Sequence, residues 1–196
     1  MSVSIDDIKK LRSMTGVGLT DAKKALVEAE GDFDKALKEM RIKGIAKADK
    51  KAERVVSAGI VHSYVHGDKI GVLVEVNCET DFVARTDDFK KFANDVALHI
   101  AASSPNVVRP EDVPEEEVKK EEELVHAELK EQGKPKEMFD KIAEGKLSKF
   151  RNEQSLLEQP FVKNPDQTVG EYLKETIAKL GENIVIAQFS RLELGK

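Results

Sequence analysis

Three sets of residues could do chemistry by type and spacing: paired histidines, a lone cysteine among polar neighbours, and a glycine, lysine and serine run. His62 and His66 stand four positions apart, which along a strand at ~3.3 Å per residue separates them by roughly 13 Å, too far to share one metal ion. Cys78 continues an apolar alternation, and no base stands beside it to make a thiolate nucleophile. Gly145-Lys146-Leu147-Ser148 lacks the upstream glycine and the spacing of a phosphate-binding loop, so the chain is not expected to cradle a nucleoside triphosphate itself. His99 lies on the apolar stripe of a helix and His126 among glutamates, and both read as structural. The expectation is a protein with no catalytic residue, no metal and no cofactor, whose function is binding rather than turnover.

The elements that position these residues follow from composition and periodicity. The chain has 196 residues, 40% hydrophobic and 35% charged, with one Cys and a net charge of -5. That supports a globular core without disulfides and argues against a nucleic-acid binder. No apolar run approaches the ~18 residues of a membrane span, and no secretory leader is evident, so a cytoplasmic protein without nucleic-acid or membrane partners is expected. The basic stretch from Arg41 to Arg54 has no interleaved aromatics and reads as a solvated helix or linker.

Residues 1–44 divide into three short helices. Ser4 opens the first, with Ile5, Ile8 and Leu11 inward; Thr20 caps the second, with Ala22, Ala25, Leu26 and Ala29 inward; Asp32 caps the third, which Gly44 ends. Two β-rich runs then meet at Gly67-Asp68, where a two-residue type II′ turn would pair Val65 with Ile70 and Val61 with Val74. That register leaves Ile60, His62, Tyr64 and Leu73 on a half-apolar second face, a candidate contact with another chain. A helix from Thr86 or Asp87 buries Phe89, Phe92, Ala93, Val96 and Ile100. Beyond it the pattern predicts a Glu-rich helix over 115–131 with a seam of Val118, Leu124, Val125 and Leu129, and shorter helical pieces from Pro135 to Gln154. A loop at Gln159 to Val162, a helix from Val169 to Leu180 and a strand from Ile184 to Leu194 complete it. The predicted class is α+β, a three-helix bundle followed by helices packed on a small antiparallel sheet, with a boundary between 1–54 and 55–196.

Two stretches are specific enough to suggest a family. Leu11 to Leu26, with its Thr15-Gly16-Val17-Gly18-Leu19-Thr20 turn, and Glu75 to Arg85, with Thr80-Asp81-Phe82-Val83, resemble the two signatures of elongation factor Ts, in the family's order and spacing. Gln159 to Lys163 and Gly181-Glu182-Asn183-Ile184 resemble further family segments. The resemblance implies a guanine-nucleotide exchange factor acting on elongation factor Tu, with a bundle similar to ubiquitin-associated domains. It implies partner contacts at Arg12, Leu19 and Thr20, the last where the family often carries a larger apolar residue. It further implies that Thr80, Asp81, Phe82 and Val83 intrude beside the partner's Mg²⁺ site. Without the resemblance, Leu19 divides evenly between core and surface, and Phe82 reads as a buried staple onto Phe89. The chain looks like a short form of the family, without a second core half-domain or a carboxy-terminal helical module, and short members form homodimers. A ubiquitin-like-protein receptor and an enzyme with a dispersed site are the rival expectations.

Overall fold

The computed structural model describes residues 3–133, 135 and 138–196. Helix α1 (Ile5–Thr15) opens on Ser4, whose side chain accepts from the Asp6 amide, and stops at Gly16, whose φ of 68° is left-handed. Helix α2 (Leu19–Glu28) starts one residue before the expected Thr20 cap: its N-cap is Gly18, with no side-chain capping bond. Helix α3 (Phe33–Asp49) is capped by Asp32, which accepts from the Lys35 amide. Leu11, Ala22, Ala25, Leu26, Ala29, Ala36 and Met40 form the bundle's core, while Ile5, expected inward, is exposed. Gly44 does not end α3. It lies within the helix, where an added Cβ would stand 3.2 Å from the Ala178 Cβ, so close approach of another backbone explains a glycine that looked like a stop.

Strand β1 (Ala58–His66) and strand β2 (Ile70–Cys78) are joined by three residues, not two. Gly67 and Asp68 both have positive φ, 54° and 57°, which is the type I′ pattern in place of the expected II′, and the Lys69 amide donates to the His66 carbonyl at 3.1 Å. The extra residue slips the register by one and exchanges the faces of β1. Val72, Val74, Val76 and Cys78 are buried as expected, but half-buried Ile60, His62 and Tyr64 share their parity of burial, and Val61, Ser63 and Val65 face outward. Gly59 fits the slipped register: its backbone lies so near Val76 and Asn77 that a Cβ would collide with the Val76 oxygen. Strand β5 (Ile184–Glu193) completes a three-stranded sheet in the order β1-β2-β5.

Between β2 and β5 come a one-turn helix, α4 (Asp81–Ala84), and α5 (Asp87–Ser103), whose Phe89, Phe92, Ala93, Val96 and Ile100 are all buried as the periodicity requires. Helix α6 (Glu115–Glu131) buries Val118, Val125 and Leu129, with Leu124 exposed. Helix α7 (Phe139–Gln154) is one 16-residue helix instead of shorter pieces. The expected start at Pro135 rests partly on Lys136 and Glu137, outside the described residues. The expected loop at 159–162 contains β3 (Pro160–Phe161), paired antiparallel with β4 (Asn164–Thr168). Helix α8 (Val169–Leu180) has the expected bounds. The class is α+β, with N-terminal helices followed by a helix and sheet core. Contacts divide the chain into two compact units, one of residues 1–62, 75–95 and 171–187, the other of 63–74, 96–170 and 188–196. Among the described residues no helix is long and apolar enough to cross a membrane.

Candidate functional site

The site residues expected from the sequence all belong to the first of these units. Arg12, Leu19 and Thr20 are exposed around the turn between α1 and α2, and the alternative of Leu19 as core is excluded by its 50% exposure. The turn that presents them is seated from below. A Cβ on Gly16 would lie 2.6 Å from the Cα of Lys179 in α8, so only glycine satisfies both the backbone angle and the contact. Arg41 of α3 pairs with Glu175 of α8 at 3.0 Å and Lys174 with Asp49 at 2.9 Å. Burial raises the Glu175 carboxyl above its usual range while Arg41 opposes that rise.

Phe82 is 87% exposed. It is therefore not a staple onto Phe89, which is fully buried. An apolar ring standing in water on a four-residue helix costs solvation without internal return and needs support, because one isolated helical turn does not form by itself. The support is polar. Thr80 caps α4, its hydroxyl accepting from the Val83 amide at 3.5 Å, and Glu182 receives both Thr80 donors, the hydroxyl at 2.7 Å and the amide at 3.0 Å. The hydroxyl proton goes to Glu182, which leaves the oxygen lone pairs for Val83.

Next to this contact Glu79 accepts from the Asn183 amide at 2.7 Å and from Arg54 at 3.4 Å. The Asn183 amide and then Arg54 hold its carboxyl below the usual range. Asn183, 2% exposed, donates its side-chain amide to the carbonyls of Ala52 and Arg54 at 3.2 and 2.8 Å. Lys51 donates to the Gly181 carbonyl at 2.7 Å. Gly181, with φ of 82°, ends α8 and turns the chain into this segment. Gly181, Glu182 and Asn183 thus grip the segment after α3 on one side and the start of α4 on the other. The resemblance of Gly181-Glu182-Asn183-Ile184 to a family segment marked the stretch in the sequence, but it assigned neither Glu182 nor Asn183 a partner.

His62, His66, His99 and Cys78 each have partners within the chain. His99 is fully buried, with Nε2 3.0 Å from the Gln159 side-chain oxygen and Nδ1 accepting from the Val162 amide at 3.2 Å, an arrangement that requires neutral imidazole. Burial lowers its pKa against the Gln159 contact. His62 meets Asn94 and His66 meets the Tyr64 hydroxyl. Cys78 is buried, its thiol directed at the Thr80 carbonyl and its pKa raised by burial.

A family model described as Elongation factor TS matches residues 20–196. The chain belongs to the elongation factor Ts family. Elongation factor Ts of Carboxydothermus hydrogenoformans is 55% identical over 190 residues, 96% of this chain and 88% of its own length. That of Desulfosudis oleivorans is 52% identical over 196 residues, 100% of this chain and 99% of its own length. The Thr80 to Val83 run thus lies on a capped and clamped helical turn, and Leu19 and Thr20 follow a turn seated on α8.

Proposed function

We propose that the chain is the guanine-nucleotide exchange factor of elongation factor Tu in translation elongation, catalysing no chemical turnover of its own. The reading is carried by Phe82, an aromatic side chain held almost wholly in water within a family signature. Residues 1–54 serve as anchor, with Arg12, Leu19 and Thr20 on the partner's GTPase domain, and residues 55–196 as core. Thr80, Asp81, Phe82 and Val83 enter beside the partner's Mg²⁺ site. Phe82 parts the elements that hold the ion, and with the ion displaced the charge of the GDP phosphates is no longer balanced. Factor and GDP then weaken each other reciprocally, and a 10⁴-fold weakening requires ~5.5 kcal/mol of coupling drawn from these contacts. The factor stays bound until GTP arrives.

The protein acts in the cytoplasm as a homodimer, in a 2:2 complex without nucleic acid. The exposed Val65, Leu73, Leu192 and Leu194 favour the dimer, because four large apolar side chains within one compact unit want cover. This replaces the face of Ile60, Tyr64 and Leu73 expected from the two-residue hairpin. Light scattering at micromolar concentration checks it, and a monomer refutes it.

The exchange reading is tested by release of a fluorescent GDP analogue from elongation factor Tu at fixed Mg²⁺. Wild type accelerates release, and Phe82→Ala slows it by about 30-fold or more while largely keeping affinity. Equal rates would move the mechanism off Phe82, and no acceleration by either protein would end the exchange reading.

A further inference from the structure

The loop after α8 carries none of the residues assigned to the anchor or the intruding segment, yet it joins the start of α4 to the segment after α3. Glu182 is a carboxylate, a pure acceptor, and it faces two donors of one residue: the Thr80 amide on Oε2 at 3.0 Å and the Thr80 hydroxyl on Oε1 at 2.7 Å. This two-point grip fixes the φ and ψ of the N-cap and the direction of the cap hydroxyl together. The hydroxyl, so directed, receives the Val83 amide, and the Ala84 amide closes the turn on the Thr80 carbonyl at 3.2 Å. Phe82 lies inside that turn and has no packing of its own to orient it, being 87% exposed. Asn183, buried, fixes the loop from behind through its bonds to Glu79, Ala52 and Arg54.

We propose that Glu182 is a positioning residue for nucleotide exchange: by gripping the Thr80 amide and hydroxyl it sets the first turn of α4 and so aims the exposed Phe82 ring. The inference rests on the exchange reading above, with Phe82 as the intruding side chain. Glu182 acts through Thr80 and touches neither partner nor nucleotide in this scheme. A ring on an unclamped turn samples many directions, so loss of the grip lowers the rate of the bound complex more than its formation.

The test measures release of the fluorescent GDP analogue against factor concentration for wild type, Glu182→Ala, Glu182→Gln, Phe82→Ala and the Phe82→Ala/Glu182→Ala double variant. Glu182→Ala is expected to lower the maximal rate roughly tenfold, about the net strength of one charge-assisted hydrogen bond. The half-saturating concentration should move less than about threefold. Glu182→Gln, which retains one acceptor, should fall between, and it carries the same test if the alanine variant does not fold. In the Phe82→Ala background, removal of Glu182 should cost less than about twofold more, because there is no ring left to aim. A wild-type maximal rate in Glu182→Ala and Glu182→Gln, with Phe82→Ala slow, overturns the proposal and leaves the exchange reading standing. The same tenfold loss in both backgrounds overturns it as well, since that is a general weakening of the fold. A wild-type rate in Phe82→Ala removes the Phe82 reading and this proposal with it.

Discussion

Leu19 opens α2 on a glycine cap that offers no side chain to the helix amides, whereas Phe82 sits in a single turn whose cap, Thr80, is itself held by Glu182. Both residues are exposed and both lie in the stretches that resemble the family's signatures, yet they are supported in opposite ways. Beneath Leu19 lie fully buried Leu11, Ala22 and Leu26, so the helix is fixed by packing of its inner face and can dispense with a cap. Phe82 stands on a four-residue turn whose one buried side chain is Ala84, and hydrogen bonds supply most of its support. A surface that must hold a partner can rest on a hydrophobic core. A side chain that must project away from one needs directional bonds, which set angles as well as distances.

The comparison can be broken at each support, and the effects should fall in order. Leu11→Ala should destabilise the bundle most, by about 2–5 kcal/mol in denaturant unfolding. Gly16→Ala comes next, at roughly 2 kcal/mol, because it places a Cβ at a φ of 68° and against the Lys179 backbone. Gly18→Ala, where φ is -64° and a Cβ would meet only the Asp21 carboxylate at 3.8 Å, should cost no more than about 1 kcal/mol, the preference of an N-cap for glycine over alanine. If Gly18→Ala cost as much as Gly16→Ala, the seat on α8 would not be what fixes the turn. Thr80→Ala removes a cap and should cost ~1 kcal/mol.

A smaller effect concerns acid. The Glu79 carboxyl is held below its ordinary value of 4.5 by the Asn183 amide and Arg54. A depressed carboxyl stabilises the fold above that ordinary value, and the contribution is lost as pH falls through the lowered one. Thermal melts of wild type and Glu79→Gln should therefore differ at neutral pH and converge in acid; a gap that widened in acid would reverse the assignment. Phe82→Ala should leave the melting temperature unmoved, within about 0.5 kcal/mol, although it is the variant expected to slow exchange. Measurable destabilisation would mean that the ring packs on its own protein, contrary to its exposure.

Much of the fold could be read directly because it is local. The stripe of α5 from Phe89 to Ile100 and the bounds of α8 follow from periodicity and end signals within the segment. The hairpin register could not be read with the same security. β1 carries Ile60 and Tyr64 on one face and Val61 and Val65 on the other, so its apolar residues favour neither, and the choice fell to Lys69, which joins the loop. Gly44 misled for a similar reason: its purpose is Ala178, far along the chain. The site divides likewise. Arg12, Leu19, Thr20 and the Thr80 to Val83 run were singled out through motifs, and the structural reading of His99 came from its apolar stripe. The bonds of Glu182 and Asn183 were invisible, because each joins residues about a hundred positions apart.

The separation of Thr80 and Glu182, 102 positions, also orders events in time. The bundle core draws on residues within the first 40 and can close early while the chain is still being made. The grip on α4 cannot close until Gly181 to Asn183 have been added. A chain clipped directly after α8 would keep Arg12, Leu19 and Thr20 on a bundle seated on that helix and leave Phe82 unaimed. On the exchange reading proposed above, such a fragment is expected to hold the partner without opening it and to compete with the uncut chain.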